Sequence, residues 1–552
     1  MRIGIDVGGT NTDAVALVDG GIAAWAKVPT SADIRSGIID AIRALIDQGV
    51  DVATQTECVI IGTTQFTNAF VERRGLLPVG VLRLALPATA ALPPLAQWPA
   101  DLRDTIGDAT FMVRGGYQFD GRINSALDEA GIADAAHAMA ERGITAVAIS
   151  GLFSPVNHAM ELRAADIVRA RIPEARITLS HRIGRPGLLE RENAAVMNAS
   201  LADLASVVVR SFRAALAALR IDAPFFITQN DGTLMSADVV EAYPVLTFAS
   251  GPTNSMRGAA FLSGLGDCLV ADIGGTTTDI GVLVNGYPRE STVPVDIGGV
   301  RTNFRMPDIL ALGLGGGSIV DAEDPASIGP ASVGHRLTRE ARVFGGDTLT
   351  ATDIAVAAGT AQIGDATRLN ELTPAQIATA NDRLHAIVED GIDRLKTQAG
   401  AAQLVLVGGG SVLIGRPLDG ISEVIRPGLA SVANAIGAAI AQVGGETDHI
   451  YRYEDIGRDA ALTDARDRAS AAAIAAGADA ATIAIIDQEE LPLAYVPGGA
   501  VRVRVKAVGA LCTVETGNRN SRNIGRDRQM PRAPSSTNTL EGEIECPDLT
   551  SY

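Results

Sequence analysis

The chain has 552 residues, which is enough for three or four domains of ordinary size. Apolar residues make up 47% and charged residues 20%, proportions that exclude a largely disordered protein. The net charge of −18 argues against nucleic acid or an anionic membrane as the main partner, so a bound anion must be held locally by backbone amides or a metal ion.

The sequence contains no pattern typical of a zinc site, a secreted protein or a membrane span. Its four cysteines lack CxxC spacing. The first six residues, MRIGID, have the character of a strand and not of a signal peptide. Charged residues and prolines interrupt each apolar stretch before it reaches the roughly 18 residues of a membrane helix. We therefore expect a cytoplasmic protein.

The N-terminal third predicts a domain of alternating strands and helices. Apolar residues cluster over 1–6, 58–61 and 146–152, and each cluster has the length of a buried strand. Residues 190–219 are rich in Ala and Arg and favour helix. We place a first domain at residues 1–190 and expect the helical stretch to lead into the second half.

An internal repeat relates the two halves of the chain. Residues 5–20 read IDVGGTNTDAVALVDG and residues 271–286 read ADIGGTTTDIGVLVNG, with nine of sixteen positions identical at an offset of 266. In each copy an apolar strand ends in an aspartate, two glycines make a turn, and a Thr-rich strand returns to Asp-Gly or Asn-Gly, which is typical of a hairpin. The repeat predicts a duplication in which two similar domains face each other.

Each hairpin has the residue types that a phosphate site needs. Glycine backbones let amide groups approach an anion closely, and threonine hydroxyls can donate to phosphate oxygens. The candidate phosphate-binding residues are Gly8, Gly9, Thr10, Asn11 and Thr12 in the first copy and Gly274, Gly275, Thr276, Thr277 and Thr278 in the second. Asp6 and Asp272, at the strand ends, are candidate ligands for Mg²⁺ through water, whereas Asp13 and Asp279 are expected to fix the hairpins. A single such motif is more often a plain turn, but its repetition favours a paired phosphate site.

Two later glycine loops extend this site. Residues 312–319 read LGLGGGSI and residues 404–411 read LVLVGGGS. Either loop alone is more often a packing turn, but bare backbone also suits a nucleoside base and ribose. With the two hairpins they complete a candidate nucleotide site, whose further residues are Gly315, Gly316, Gly317, Gly408, Gly409, Gly410 and Ser411.

The C-terminal part predicts a helix, a strand and a tail. Residues 455–480 are Ala-rich and favour helix, and residues 501–507 alternate strictly, as in a half-exposed strand. We assign residues 191–511 to the second domain. Residues 512–552 carry five arginines, then a Pro-Ser-Ser-Thr stretch and an acidic end, which is typical of a disordered tail.

The two hairpins and the late VGGGS loop resemble the phosphate-1, phosphate-2 and adenosine motifs of the actin, Hsp70 and sugar-kinase superfamily. Within it the chain resembles the A-type subunit of the hydantoinase/oxoprolinase family, which includes N-methylhydantoinase, 5-oxoprolinase and acetone carboxylase subunits. The finer resemblance rests on GTTQFTN at 62–68, FSPVNH at 153–158, EREN at 190–193, QNDG at 229–232, SGP at 250–252, GGGSI at 315–319 and ANAIG at 433–437. These motifs follow the family's order from residue 1 to about 440.

The resemblance implies an α/β fold of duplicated actin/Hsp70-like (ribonuclease H-like) ATPase domains that face a nucleotide cleft. It implies ATP and Mg²⁺ as cofactors and ATP-dependent ring opening of a hydantoin, 5-oxoproline or related cyclic amide through phosphorylation of its carbonyl. It also implies a second hydantoinase-type subunit within an oligomer, and the net charge argues against nucleic acid and membrane as partners.

The same resemblance suggests which residues act on the substrate. Asp6 and Asp272 are the candidate catalytic residues, and a structural cap at the strand end is the alternative for either one. The candidate substrate-side residues are Thr63, Thr64, Asn68 and Arg73, for which loop packing is an equal alternative. Arg191 and Glu192 have a helix-surface ion pair as an equal alternative, and a structural role is favoured for His335.

Three other functions remain open at the level of sequence. An acetone-carboxylase-type subunit would depend on bicarbonate, a small-molecule kinase would leave a stable phosphate ester, and an ATPase switch would not respond to cyclic amides. The cyclic-amide hydrolase is the leading hypothesis.

Overall fold

The computed structural model describes residues 1–9, 11–30, 34–185, 187–291, 293–304, 306–397, 399–493 and 499–512. Its contacts divide the chain into two units, one ending at Ala441 and the other beginning at Gln442. The predicted tail lies outside the described residues from 513 onward. The domain boundaries at 190 and 511 stay a prediction.

The first unit contains most of the strands and helices. Its strands are β1 (Arg2–Val7), β2 (Asn11–Val18), β3 (Gly21–Pro29), β4 (Cys58–Thr63), β5 (Val79–Leu86), β6 (Thr110–Arg114), β7 (Ala146–Gly151), β8 (Arg176–Leu179), β9 (Phe225–Thr228), β10 (Thr233–Ser236), β11 (Cys268–Ile273), β12 (Thr278–Val284), β13 (Tyr287–Pro288), β14 (Val295–Ile297), β15 (Val300–Thr302), β16 (Ile309–Leu312), β17 (Ser318–Val320), β18 (Ile328–Ser332), β19 (Ala402–Val407) and β20 (Ile421–Ile425). Its helices are α1 (Ile34–Ile46), α2 (Val52–Gln55), α3 (Gln65–Val71), α4 (Ala100–Ile106), α5 (Glu129–Glu141), α6 (Ala159–Arg171), α7 (Leu188–Ser200), α8 (Ala202–Ala218), α9 (Ala237–Ala242), α10 (Ser250–Ser263), α11 (Leu337–Glu340), α12 (Ala351–Ala357), α13 (Pro374–Leu395) and α14 (Ala433–Ala439).

Two mixed sheets in this unit are built alike. In one, the order β10-β9-β4-β1-β2-β3 places β1 antiparallel to β2 and parallel to β4. In the other, the order β13-β12-β11-β19-β20 places β11 antiparallel to β12 and parallel to β19. The strands beside the hairpins are almost continuously buried, which is why they read as apolar runs. The predicted α/β duplication is therefore confirmed, as are the predicted strands at 1–6, 58–61 and 146–152.

A third sheet, with the order β6-β5-β7-β8, is parallel throughout. Helices α5 and α6 pack beside it over a separate hydrophobic core. The helical stretch predicted at 190–219 is confirmed as α7 and α8, with a turn at Leu201 between them.

Helices α10 and α14 cross between the two mixed sheets with their backbones in contact. A Cβ atom on Gly258 would lie 1.9 Å from the carbonyl oxygen of Ala433, and one on Gly437 would lie 1.8 Å from that of Asn254. Gly4 of β1 makes a similar approach to α14, since its Cβ would lie 2.2 Å from the oxygen of Ala435. Only glycine fits at these three positions.

The second unit contains β21 (Gln442–Arg452), α15 (Tyr453–Ile456), α16 (Arg458–Ala475), β22 (Ala484–Pro492) and β23 (Ala500–Gly509). The helix expected at 455–480 is confirmed as α16, but the strand expected to be half exposed is nearly buried throughout. It lies between β21 and β22 and packs against α16, and Arg504 pairs with Glu489 at 2.7 Å. Among the described residues of the chain, no helix has the length and apolar character that crossing a bilayer requires.

Candidate nucleotide cleft

The two predicted hairpins have the same turn geometry. The amide of Gly8 donates to the carbonyl of Asn11 at 3.0 Å, and the amide of Gly274 donates to that of Thr277 at 2.9 Å. The strand register is also the same, because Asp6 pairs with Asp13 and, 266 residues later, Asp272 pairs with Asp279. The repeat in the sequence is therefore a repeat in structure.

Both hairpins line one cleft with a cavity volume of about 1180 Å³. The cleft also contains the glycine loop that follows β19, the start of α14 and the stretch that includes α11. Its lining includes Gly8, Gly9, Asn11, Asp13, Lys27, Ser255, Asp272, Gly274, Gly275, Gly316, His335, Arg336, Leu337, Arg339, Phe344, Thr352, Gly408, Gly409, Gly410, Ser431 and Asn434. Most of the predicted glycines thus meet at one site.

One of the two predicted catalytic aspartates lines this cleft, and the other contacts a residue that lines it. Asp272 lines it, and Asp6 is buried and accepts a hydrogen bond on Oδ2 from Nδ2 of Asn434 at 2.7 Å. Burial, together with the negative charges of Asp13 and Asp272, raises the pKa of Asp6 to about 7. Burial also raises the pKa of Asp272. The charge of Asp272 is therefore close enough to disfavour ionisation of Asp6.

The second aspartate of each hairpin has a different environment. Asp13 is buried and receives Nζ of Lys27 on both carboxylate oxygens, at 2.9 and 2.8 Å. Burial raises the pKa of Asp13 in spite of this partner, whose charge lowers it. In the other hairpin, burial and the charge of Asp272 raise the pKa of Asp279 to about 7.

The threonines of the hairpins divide into inward and outward positions. Thr278 is buried and its hydroxyl donates to the carbonyl of Leu314 at 2.6 Å, so its proton is used within the protein. The corresponding Thr12 is also buried, with its hydroxyl 3.2 Å from that of Thr30. Thr276 and Thr277 are exposed in the turn. Thr10 lies outside the described residues, and the phosphate roles of these threonines stay predictions.

The glycine loop at 315–317 supports the second hairpin from behind. Gly316 and Gly317 donate their amides to the carbonyls of Gly274 and Gly275, at 3.0 and 2.7 Å, and Gly315 donates to Oγ of Ser318 at 2.8 Å. A Cβ atom on Gly315 would lie 2.6 Å from the amide nitrogen of Thr276. These amides are already bonded within the protein, which points to a supporting role for the loop.

The loop at 408–410 is more open towards the cleft. Gly408 has a positive φ of 82° and a Cβ atom there would lie 2.3 Å from Oδ1 of Asp272, so it needs glycine. A Cβ atom on Gly409, by contrast, would have no atom within 4 Å. Ser411 is half-buried and donates its amide to the carbonyl of Gly408 at 3.3 Å. Gly409 is therefore the member of this loop with free space beside its backbone.

The four predicted substrate-side residues do not line the cleft. Thr63 is buried, and its Oγ1 accepts from the amide of Gln65 at 3.3 Å. Thr64 precedes α3, and Nδ2 of Asn68 donates to its Oγ1 at 3.4 Å. Arg73 donates to Asp101 at 2.7 Å and to the carbonyl of Gly298 at 2.9 Å. These contacts are those of loop packing, and a substrate role for the four residues stays a prediction.

Arg191 and Glu192 are not a surface ion pair, because both are buried. Glu192 accepts Nε of Arg83 at 2.7 Å and the hydroxyl of Ser150 at 2.7 Å, and Arg191 donates to Ser180 at 2.9 Å. The sequence alone could not exclude the surface alternative, because the partners come from distant strands. His335, for which a structural role was favoured, is exposed and lines the cleft.

Sequence analysis missed two polar residues of the cleft. Asn434 donates to Asp6 and lies within the ANAIG motif, which indicated the family but no role for this residue. Lys27 lies opposite Asp13 in the β2–β3 register, a pairing that no sequence motif marks. Within the described ranges there is no group of three or more His, Cys, Asp or Glu side chains placed to hold a metal ion by themselves.

Two family models match the chain. The hydantoinase/oxoprolinase N-terminal region matches residues 2–172, and hydantoinase/oxoprolinase matches residues 191–366. Among named relatives, the caprolactamase subunit alpha of Pseudomonas jessenii is 29% identical over 67% of this chain and 56% of its own length. The acetophenone carboxylase gamma subunit of Aromatoleum aromaticum is 28% identical over 65% of this chain and 53% of its own. The chain thus spans about half the length of the curated relatives it matches.

Solved structures share the fold. The ATP-dependent caprolactamase of Pseudomonas jessenii aligns with a TM-score of 0.74 at 21% identity, over 93% of this chain and 88% of that one. Nucleotide-free acetone carboxylase aligns with a TM-score of 0.64 at 18% identity, over the same shares of each chain. The similarity in fold extends over both matched regions, and the chain belongs to the hydantoinase/oxoprolinase family.

Proposed function

We propose that this protein is one subunit of an enzyme that opens a cyclic amide by hydrolysis at the expense of ATP. The observation that carries the proposal is the pair of equivalent hairpins across one cleft, in a chain of the hydantoinase/oxoprolinase family. The names of two relatives, an ATP-dependent caprolactamase and its alpha subunit, give the reaction class.

The cleft has the size and the backbone character that a nucleoside triphosphate needs. Its volume of about 1180 Å³ exceeds that of a typical small-ligand pocket. Gly9 and Gly275 are exposed in the turns, and a Cβ atom on either would meet no atom within 4 Å, so their backbones are approachable from the cleft. Gly409, in the loop after β19 beside the second hairpin, offers the same open backbone for the nucleoside.

The aspartates fit a magnesium ion held through water. Asp272 lines the cleft, and its charge raises the pKa of Asp6, a repulsion that a bound cation would relieve. Mg²⁺ prefers one or two carboxylates together with water and phosphate oxygens, which suits this sparse donor set. When bound, the ion would neutralise charge on the phosphates, and Asp272 and Asp6 would orient its waters.

The reaction follows from the weakness of an amide as an electrophile. Resonance stabilises the carbonyl, and transfer of a phosphoryl group to its oxygen gives an imidate-like phosphate that water can attack. One water then attacks the imidate carbon, and the C–N bond breaks with a proton passing to nitrogen, which leaves an acyl phosphate. A second water hydrolyses the acyl phosphate to the ring-opened carboxylate and free phosphate. The chain's residues have to position the reactants and balance charge, as in phosphoryl transfer generally.

A second subunit is part of the proposal. Both named relatives are subunits of larger enzymes, and this chain spans about half of each. An acetone-carboxylase-type activity is the second candidate, favoured by the acetophenone carboxylase relative. A small-molecule kinase of the same superfamily remains a further alternative.

The test is ATP hydrolysis by the purified chain with Mg²⁺, alone and with its partner subunit, over hydantoin, N-methylhydantoin, 5-oxoproline, succinimide and caprolactam. Asp272→Ala is the inactive variant, and Asp166→Asn, on the exposed face of α6, is the matched control. Stimulation by one ring with a ring-opened product, lost in Asp272→Ala alone, is the expected result. A requirement for bicarbonate would favour the carboxylase, and a stable phosphate ester would favour the kinase.

A further inference from the structure

Lys27 is a cation held inside the cleft by fixed partners. Its ammonium group donates to both carboxylate oxygens of Asp13, at 2.9 and 2.8 Å, and to the carbonyl oxygen of Ser431 at 3.0 Å. These three bonds match the three donors of the group. The Lys27 side chain nevertheless keeps 32% of its surface exposed and lines the cleft.

The three bonds connect opposite walls of the cleft. Asp13 and Lys27 are cross-strand neighbours on β2 and β3, beside the first hairpin. Ser431 lies in the turn at 430–432, where the carbonyl of Ala430 accepts the amide of Gly408 at 3.1 Å. Lys27 is therefore linked through this turn to the glycine loop on the other wall.

The partners of Lys27 are unequal in strength. Asp13 is buried, and its carboxylate receives two bonds from the Lys27 ammonium group, so the ammonium group is fixed in position. Ser431 contributes a neutral carbonyl, which is a weaker acceptor for an ammonium than an anionic oxygen. A phosphate oxygen that enters the cleft can replace this carbonyl while Asp13 keeps its two bonds.

The other cations among the described residues that line the cleft lack such an anchor. Arg336 and Arg339 are both exposed, and Arg336 pairs with Glu340 at 3.0 Å on its own helical turn. Exposed pairs of this kind are screened by solvent and order a side chain only weakly. Lys27 is thus the pre-positioned cation beside the first hairpin.

We infer that Lys27 binds the terminal phosphates of a nucleoside triphosphate by exchanging the Ser431 carbonyl for a phosphate oxygen, with Asp13 as its positioning residue. This inference rests on the proposed nucleotide function of the cleft. It makes Lys27 a determinant of phosphate number, so that the chain distinguishes triphosphate from nucleoside by charge as well as by backbone contacts.

The binding test compares ATP, ADP, AMP and adenosine by calorimetry on the full chain, for the native protein, Lys27→Met and Lys27→Arg. Lys396→Met is the matched control, since Lys396 also donates to a backbone carbonyl, that of Gly420 at 3.0 Å, but does not line the cleft. We expect Lys27→Met to lose about 10- to 100-fold in affinity for ATP. Its affinity for adenosine should change less than about 2-fold, and Lys27→Arg should recover most of the loss for ATP.

Two results would overturn the inference. One is native ATP affinity in Lys27→Met. The other is an equal loss of affinity for ATP and adenosine in a folded Lys27→Met variant. That result would mean that Lys27 supports the structure of the cleft and does not contact phosphate. If the native chain binds none of the four ligands, the proposed function itself fails, and that outcome is distinct from both.

A second measurement needs no variant. The sequence has three lysines, Lys27, Lys396 and Lys506, so acylation of each can be followed by peptide mass. ATP should slow acylation of Lys27 by about 5-fold or more without affecting Lys396, and adenosine should protect Lys27 far less. Equal protection by adenosine, or none by ATP that is bound, would contradict a phosphate contact.

Discussion

Asn434, the second residue of α14, donates a hydrogen bond at 2.7 Å to Oδ2 of Asp6, the penultimate residue of β1, across 428 residues of sequence. The bond attaches the last helix of the first unit to its first strand, and Asn434 itself lines the cleft. It lowers the pKa of Asp6, but burial raises that pKa more.

The ionisation of Asp6 should therefore make stability depend on pH. The carboxyl binds its proton more tightly in the folded chain, with a pKa of about 7, than at its ordinary value of 3.8. Its contribution to the free energy of unfolding is therefore fully present below pH 3.8 and is lost as the pH rises to about 7. Asp6→Asn cannot ionise, so its stability relative to the native chain should improve between pH 4 and pH 8, by up to about 4 kcal/mol. Urea unfolding at both pH values measures this, with Asp166→Asn as control, and an unchanged difference would contradict it.

Thr276 and Thr278 should respond in opposite ways to the same substitution. Thr278→Val removes a buried bond to the Leu314 carbonyl, which should cost about 1–3 kcal/mol of stability. Thr276 is exposed in the turn, so Thr276→Val should leave the unfolding temperature unchanged and weaken ATP binding. Thermal unfolding and ATP titration of both variants separate the two roles. Equal ATP affinity in Thr276→Val and the native chain would remove Thr276 from the phosphate site.

Gly315, in the loop behind the second hairpin, and Gly409, in the cleft, should also differ in their response to alanine. Gly315→Ala would place its methyl group 2.6 Å from the backbone nitrogen of Thr276 and should destabilise the second hairpin. Gly409→Ala meets no atom within 4 Å and should fold normally. Its methyl group would occupy cleft space, so we expect nucleotide affinity to fall about tenfold or more with the unfolding temperature unchanged. A Gly409→Ala variant with native affinity would show that the ligand does not approach this backbone.

Removing one charge of the buried pair of Arg83 and Glu192 should destabilise the fold strongly, whereas replacing both residues with apolar ones should destabilise it much less. Glu192→Gln leaves the Arg83 charge buried without an anion, which should cost about 3–5 kcal/mol. The double variant Arg83→Met, Glu192→Leu should recover much of this loss. Glu129→Gln, which breaks an exposed pair with Arg163, should cost less than about 1 kcal/mol. Urea unfolding tests the three variants, and a loss for Glu192→Gln as small as that for Glu129→Gln would contradict the prediction.

The repeat made the hairpins predictable because turn geometry is local. Two glycines between a buried strand and a Thr-rich strand specify the bond from Gly8 to Asn11 and its copy at Gly274, and both are present. The inward direction of Thr278 depends on where β12 begins, one residue after the turn, and a pattern of three consecutive threonines does not specify that boundary.

The pairing of Lys27 with Asp13 shows why the remaining contacts could not be predicted. Counting back from the turn after Val18 would place Asp13 opposite Ala26, but a register shift between Ala16 and Leu17 moves Lys27 into that position. A one-residue irregularity thus decides which side chain meets a buried carboxylate. The contact of Asp6 with Asn434 depends on tertiary packing over nearly the whole first unit, which no local pattern encodes.

The crossing of α10 and α14 has a consequence for how the sequence can vary. No side chain separates the two helix backbones at Gly258 and Gly437. The crossing therefore has no side-chain atoms that could move aside, and an added carbon atom would push the two helices apart. Each helix also contributes a residue to the cleft, Ser255 from α10 and Asn434 from α14. In a deep mutational scan the two glycines should therefore tolerate fewer amino acids than most residues that line the cleft, although they would contact no ligand.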